Sequence, residues 1–458
     1  MVDRLIFWEN AMIKHIDKSK LVWLSATVIM LWCAIPLLIM LLNLINVNPL
    51  VVYTIWINAV YIIGAVGICI AILYCYKEKD IFASISINKL LYSFLPLVLL
   101  LLFLLWCLIC CSLAEDKFMA FYGRAPMMDS FFTYFLYAGF LLSGLIVAND
   151  RKLVKMIAKF FLLVSTLMAG ITILDNSFTE KVNVNDFYTN TFHYQSVFYN
   201  TNHYGYYLVI VILVAYFLYE NESNKLKEGL YVLCGALNIE LLIFNNSLGS
   251  YLAVLLTLIF VIVWKFINSE NQKNKAISFF LVFLLISALS IFYSNNLLVS
   301  FVGMFGDVSL LIGSVSDDSL NIDMVGSSRG LLWKNALENI KLSPFWGYGL
   351  ENVGKIVIDE TSPLNHPHNV FLQIALFTGI PGLLIYFSTY VVGVIRLLQN
   401  RKQLSKHVEA VAFVVVGYLI SLFFGVPKFY TSPYFIVVLG VCMSECLADI
   451  DKKAAECH

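Results

Sequence analysis

The chain has 458 residues, of which 60% are hydrophobic, 15% aromatic and 13% charged, and thirty basic residues balance thirty acidic ones. A soluble domain carries about 25% charged residues, so this chain has too little charge to coat a water-facing surface and too much apolar length to hide in one core. That excludes a cytosolic enzyme, a disordered scaffold and a nucleic-acid binder with a basic face, and it leaves an integral membrane protein.

Residues 1–20 carry Asp3, Arg4, Glu9, Lys14, Asp17, Lys18 and Lys20 without an apolar core or a cleavage site. They read as a cytoplasmic tail leading into an uncleaved anchor. A membrane span needs ~20 mostly apolar residues. Such stretches fall near 21–45, 50–75, 90–114, 130–148, 153–174, 204–219, 229–244, 250–267 and 277–296, nine spans within 21–296. A large extracytoplasmic loop over 297–368 follows, then stretches near 369–398, 410–427 and 431–448, and a cytoplasmic tail over 449–458. Open strands cannot cross a bilayer. The expected fold is therefore an all-α integral membrane protein of about 12 transmembrane helices, with one large outer loop before the tenth span.

Lys and Arg accumulate on the cytoplasmic side of bacterial and other inner membranes. With the N-terminus inside, 22 of the 30 basic residues lie on the inner face. Lys117, Arg124, Lys181, Arg329, Lys334, Lys341, Lys355 and Lys428 remain outside. Fourteen acidic residues lie outside, fifteen inside, and Glu240 within a span, which makes the outer face 8 − 14 = −6 and the inner face 22 − 15 = +7. Both termini are thus expected to be cytoplasmic. All ten cysteines fall in spans or on the inside, so no outer disulfide framework is expected.

Two outer segments are long, 175–203 and 297–368, and loops of that length are usually functional or disordered. In the second, Leu332, Trp333, Ala336, Leu337 and Ile340 form an apolar stripe. This predicts an amphipathic helix capped by Ser327 or Ser328, ended by Pro344 and lying along the outer face with Trp333 toward lipid or the bundle. Trp346-Gly347-Tyr348-Gly349 reads as a glycine-hinged turn. Asn365-His366-Pro367-His368-Asn369 then opens a run to Leu398 that would reach ~45 Å at 1.5 Å per residue, so a kink is expected at Gly379–Pro381.

The polar residues on this face have a bland reading and a chemical one. His366 and His368 fit a cap-and-loop motif, a metal site for which spacing fixes no third ligand, or a general base or ligand-positioning pair. Arg329 and Arg124, the outer arginines, either pair with nearby carboxylates or clamp a phosphate by bidentate bonds. The segment 188–207, with six tyrosines, Asn190, Asn200, Asn202, His193 and His203, suits either a sugar-binding surface of rings and amides or an interfacial aromatic belt. Glu240 is either a functional intramembrane carboxyl or one that sits in a hydrated mouth.

Arg329-x-x-x-Trp333 with Ala336, Pro344-x-x-Gly347-x-Gly349, His366-x-His368-Asn369-x-x-Leu372-Gln373 and Gly379-x-x-Gly382 together resemble the O-antigen ligase/polymerase superfamily over roughly residues 200–400. Phe121-Tyr122-Gly123-Arg124 and Tyr199-Asn200-Thr201-Asn202-His203-Tyr204 resemble its glycine-arginine stretch and its asparagine-rich helix entry. The resemblance implies a GT-C-like glycosyltransferase that passes a glycan from undecaprenyl diphosphate to an acceptor hydroxyl at the outer face of the cytoplasmic membrane. Transfer would invert the anomeric centre and need no cofactor and no metal. On that resemblance His368, with His366, is the base or acceptor-orienting residue, and Arg329 and Arg124 clamp the diphosphate. Asn200, Asn202, His203, Tyr199, Asn369 and Glu240 are candidate glycan or acceptor contacts. The implied partners are the lipid-linked donor, a saccharide or lipid-linked acceptor and membrane lipids, without nucleic acid. One departure stands out: where the family commonly has Ser-Arg-Gly, this chain has Ser247-Leu248-Gly249. The rival class is a polysaccharide or lipid-linked oligosaccharide transporter, which calls for internal repeats and polar groups at the midplane.

Overall fold

The computed structural model describes residues 17–78, 87–125, 127–174, 179–182, 191–198, 200–268, 273–293, 298, 301–302, 325–352, 366–426 and 428–456. In chain order the helices are α1 (Lys18–Leu44), α2 (Pro49–Lys77), α3 (Ile87–Leu113), α4 (Lys117–Tyr122), α5 (Phe131–Val147), α6 (Arg151–Leu174) and α7 (Thr201–Glu220). They continue as α8 (Lys225–Asn245), α9 (Leu248–Asn268), α10 (Lys273–Tyr293), α11 (Val325–Leu342), α12 (Val370–Gln399), α13 (Lys406–Ser421) and α14 (Ser432–Glu456). Each of the twelve apolar stretches overlaps one of these helices. Among the described residues, nine helices are long and apolar enough to cross a membrane, and Phe131–Val147 and Ser432–Cys446 are shorter apolar helices. The molecule is a multi-pass helical membrane protein. The fold is not wholly helical: between α6 and α7, strands β1 (Thr179–Val182) and β2 (Thr191–Tyr194) pair antiparallel, with Thr179 opposite Tyr194.

Helix α7 is the axis of the bundle. It is apolar all round, as a helix surrounded by protein must be, and α6, α8, α9, α10, α13 and α14 all pack on it. Beside it, Trp32 of α1 is fully buried against Trp56, Phe140 and Tyr434, with ring centroids 5.2–5.6 Å apart, which ties α1, α2, α5 and α14 together. Helices α2 and α5 approach backbone to backbone, since a Cβ on Gly139 would lie 1.9 Å from the Gly64 carbonyl oxygen. Small residues at such crossings are what dispersion-driven helix association in a bilayer requires.

Helix α12 breaks where the sequence predicted. Gly379 has φ 68° and ψ −178°, and Pro381 follows it without an N–H. A break inside a membrane strands backbone groups, which must then be satisfied by protein. The turn after α11 supplies them. Tyr348 N and Gly349 N donate to the carbonyls of Leu376 and Phe377, both at 2.9 Å, and Ile380 N donates to Pro344 O at 2.8 Å. Trp106 Nε1 of α3 donates to Thr378 O at 2.8 Å. The glycine-hinged turn at 346–349 thus mends the kinked helix.

The apolar positions 332–340 lie on helix α11. It starts at Val325, so Ser327 and Ser328 lie within it rather than capping it. Its buried side is Leu332, Ala336 and Ile340, whereas Trp333 and Leu337 are exposed.

Opposite the histidines, at the far end of α7, charges are paired. Lys265 Nζ meets Glu409 at 2.7 Å and Glu220 at 3.3 Å, all three buried, and His407 Nε2 meets Glu445 at 2.9 Å. Lys275 joins Glu228 at 2.9 Å and the carbonyls of Tyr219 and Glu222. These contacts clasp α7, α8, α9, α10, α13 and α14.

Candidate functional site

The site lies where the start of α7, the start of α12, the loop 123–130 before α5, the turn 347–352 and the loop 425–431 between α13 and α14 meet. Gln373, on the first turn of α12, donates from Nε2 to Asp129 Oδ2 at 3.1 Å. Its amide oxygen faces His366 Nδ1 at 3.0 Å. An amide oxygen only accepts, so His366 carries its proton on Nδ1 and keeps a lone pair on Nε2. Burial, then the nearby Lys428 charge, hold the His366 imidazole down at about 3. It is neutral at physiological pH.

His203, on the first turn of α7, is held in the same tautomer by a different partner. Tyr430 Oη donates its one proton to Phe198 O at 3.1 Å. It therefore accepts from His203 Nδ1, 2.6 Å away, and His203 Nε2 also keeps a lone pair. The electrostatic neighbours of His203 are Lys428, His368 and His366, so one cluster holds all three histidines.

His368 is half-buried and sits at φ 47°, in the left-handed region. Such backbone strain in a non-glycine residue collects at functional sites. Both sides of it are fastened. Trp333 Nε1 of α11 donates to Pro367 O at 2.8 Å, and Asn369 Oδ1 caps α12 by accepting from Phe371 N and Leu372 N at 3.0 and 3.1 Å. Arg329 lies one helical turn before Trp333 on the α11 backbone, and its side chain lies outside the described residues.

Arg124 sits on the loop that also carries Met127 and Asp129. Its N–H donates to Glu351 Oε1 at 2.9 Å. Its side chain is exposed, without a hydrogen-bond or ion-pair partner among the described residues. Glu351 is buried at φ 60°, and its Oε2 has no hydrogen-bond partner among the described residues. Burial, then the Asp129 charge, push its carboxyl up to about 8. Burial also raises Asp129, against the Lys428 ammonium and the Gln373 bond. Next to Glu351, the Asn352 side chain accepts from Asp116 N and donates to Asp116 O, both at 3.1 Å, which seats the turn on the entry to α4.

The remaining expected residues have local duties. Asn200 Oδ1 caps α7 through Asn202 N and His203 N, and Asn202 Oδ1 accepts from Ser247 at 3.2 Å. Leu248, at the position of the absent arginine, follows that serine at the start of α9. Glu240 is half-buried on α8. Tyr199 lies outside the described residues. Tyr204, Tyr206 and Tyr207 are at most 1% exposed; they are core, neither a sugar platform nor a belt. Among the described residues no three His, Cys, Asp or Glu side chains are grouped for a metal ion. Asp129, Glu351, Gln373, Lys428 and Tyr430 are members that motif reading alone did not pick out as site residues.

Below Asp129 and Gln373 a cavity of about 720 Å³ runs between α3, α5, α12 and α14 as far as Lys18, Glu78 and Asn149 at the other end of the bundle. Its walls are mostly hydrocarbon and tyrosine rings.

Residues 232–387 match the family described as O-antigen ligase, about a third of the chain, from α8 into α12. That stretch contains Arg329, Glu351, His366, His368, Asn369 and Gln373. A stretch of 76 residues is also 33% identical to an O-antigen ligase of Pseudomonas aeruginosa, covering 17% of this chain and 19% of that protein. The chain thus aligns with about a fifth of the length of that curated relative.

Proposed function

We propose, from a multi-pass membrane chain whose residues 232–387 carry the O-antigen ligase match, that this protein is a GT-C-type glycosyltransferase of about twelve spans. It transfers or polymerises a glycan held on undecaprenyl diphosphate onto an acceptor hydroxyl, with inversion and without a divalent metal, in surface polysaccharide biosynthesis. The site faces the outside of the cytoplasmic membrane and both termini face the cytoplasm. One observation carries the reading beyond the family match: Asp129 and Gln373 line one end of an apolar cavity, and Gln373 joins Asp129 to the tautomer-fixed His366, whose electrostatic neighbour is Lys428. That juxtaposition suits a ligand with a hydrocarbon tail and an anionic, sugar-bearing head.

In the reaction, the acceptor oxygen bonds to the anomeric carbon as the bond from that carbon to the diphosphate oxygen breaks. The hydroxyl proton passes to His368 Nε2 or Nδ1, and the bonding pair leaves on the diphosphate. His366, too weak a base at about 3, accepts a hydrogen bond from the acceptor and orients it. Arg329 and Arg124 neutralise the leaving group, the step at which fixed cations matter most. The test is purified protein given a lipid diphosphate-linked glycan and candidate acceptors, compared with His368→Ala and Arg329→Ala. Loss of about a hundredfold or more in each is expected, and product at the wild-type rate in both would overturn the site.

A further inference from the structure

Lys428 is the buried cation of the cluster. Its loop is fixed by Thr431, which accepts from Lys428 N at 3.0 Å and donates from its N–H and its hydroxyl to Lys428 O at 2.8 and 3.0 Å. The lysine is 7% exposed, and its Nζ contacts the Met127 thioether. Asp129 and Glu351 are its acidic neighbours, yet among the described residues no carboxylate lies within ion-pair distance of Nζ. An ammonium has three donors and no acceptor. A thioether is a weak acceptor, so this one is withdrawn from water with its hydrogen-bonding capacity largely unspent, an expensive arrangement unless a ligand completes it.

Lys265 is also buried and is met by two carboxylates at 2.7 and 3.3 Å. Lys428 has no carboxylate within ion-pair distance among the described residues, and His366 and His203 both feel its charge. Glu351, with its carboxyl pushed up to about 8, carries a proton at neutral pH, so one of the two nearby acids does not repel an anion.

We infer that Lys428 is a diphosphate-binding residue, whose ammonium donates to a phosphoryl oxygen of the lipid-linked donor and holds it beside His366 and His203. This rests on the function proposed above and adds a residue to it. As the anomeric bond breaks, negative charge grows on the diphosphate oxygens and Lys428 stabilises it as a hydrogen-bond donor without giving up its proton.

The test uses the full chain in nanodiscs and measures binding of a polyprenyl diphosphate, a polyprenol of the same chain length and phosphatidylglycerol. Lys428→Met removes the charge and keeps most of the bulk, and Lys428→Arg keeps the charge. The expected result is tenfold or greater weakening of polyprenyl diphosphate binding in Lys428→Met, unchanged polyprenol binding, and recovery to within a few fold in Lys428→Arg. Wild-type affinity for the diphosphate in Lys428→Met would overturn the assignment and leave the glycosyltransferase reading standing. So would equal losses for diphosphate and polyprenol, which mark a folding defect. Phosphatidylglycerol competing as well as the diphosphate would assign the lysine to bulk lipid instead. A wild-type protein that does not prefer the diphosphate to the polyprenol would overturn both readings.

Discussion

Gln373 has one amide and uses both ends of it, donating to Asp129 and accepting from His366. Gln373→Leu would leave a buried carboxyl and a buried imidazole N–H without partners. The expected destabilisation is about 1–3 kcal/mol in thermal or denaturant unfolding, with His366 free to change tautomer. The two titrating neighbours predict opposite pH behaviour. His366 is depressed to about 3 from an ordinary 6.5. Its contribution to stability is present above pH 6.5 and is lost as pH falls toward 3, by up to ~1.4 kcal/mol per pH unit; His366→Asn should flatten that acid limb. Glu351 is raised from 4.5 to about 8. Its contribution is present below pH 4.5 and is lost as pH rises through 8, so Glu351→Gln should melt higher relative to wild type at pH 9 than at pH 5. Lys428 was legible as the lone basic residue between Lys406 and Lys452, on a face reckoned to be acidic. Its burial was not legible, because nothing in the flanking residues says which way a loop side chain turns.

Helix ends, the kink and the amphipathic stripe are local matters, and the sequence read most of them. Gly379 and Pro381 announce the break in α12 because one permits a left-handed φ and the other lacks an N–H. What the sequence could not say is that the turn at 344–349 supplies the missing backbone partners. Gly379→Ala adds a Cβ 2.2 Å from Phe345 O at φ 68°. It should destabilise the protein by about 1–3 kcal/mol, read as a lower melting temperature in detergent. Helix α11 was foreseen as a surface helix, but its start was misjudged because Ser327 and Ser328 look like caps out of context. Its contribution to the site is Trp333, which holds the peptide before His368. Trp333→Phe keeps a ring and removes that bond. Stability should fall by about 0.5–1.5 kcal/mol. Turnover should fall without a matching change in donor affinity, because a reacting group is loosened while the groups that bind the donor stay in place.

At the scale of the whole molecule, the two ends of the bundle use buried charge differently. The end with Lys265, Glu220 and Glu409 pairs its charges closely and clasps helices, and the end with Lys428 leaves a cation under-satisfied beside neutral imidazoles. Counting charges by face could not see this, since Glu220, Glu409 and Glu445 entered the sum as though solvated. The proposed orientation puts Arg124 outside and Lys402 inside. Reporter thiols at those two positions, on a cysteine-free background in sealed vesicles, should react with an impermeant reagent from opposite sides, and labelling from one side at both would overturn the topology. By itself the sequence determined the membrane class, the helices, the kink and the histidine motif, because composition, apolar length and adjacent residues encode them. Only the tertiary structure decided the company those histidines keep. Asp129 meets Gln373 across 244 residues and His203 meets Tyr430 across 227, pairings set by how helices pack and by which polar groups must find partners once water is excluded.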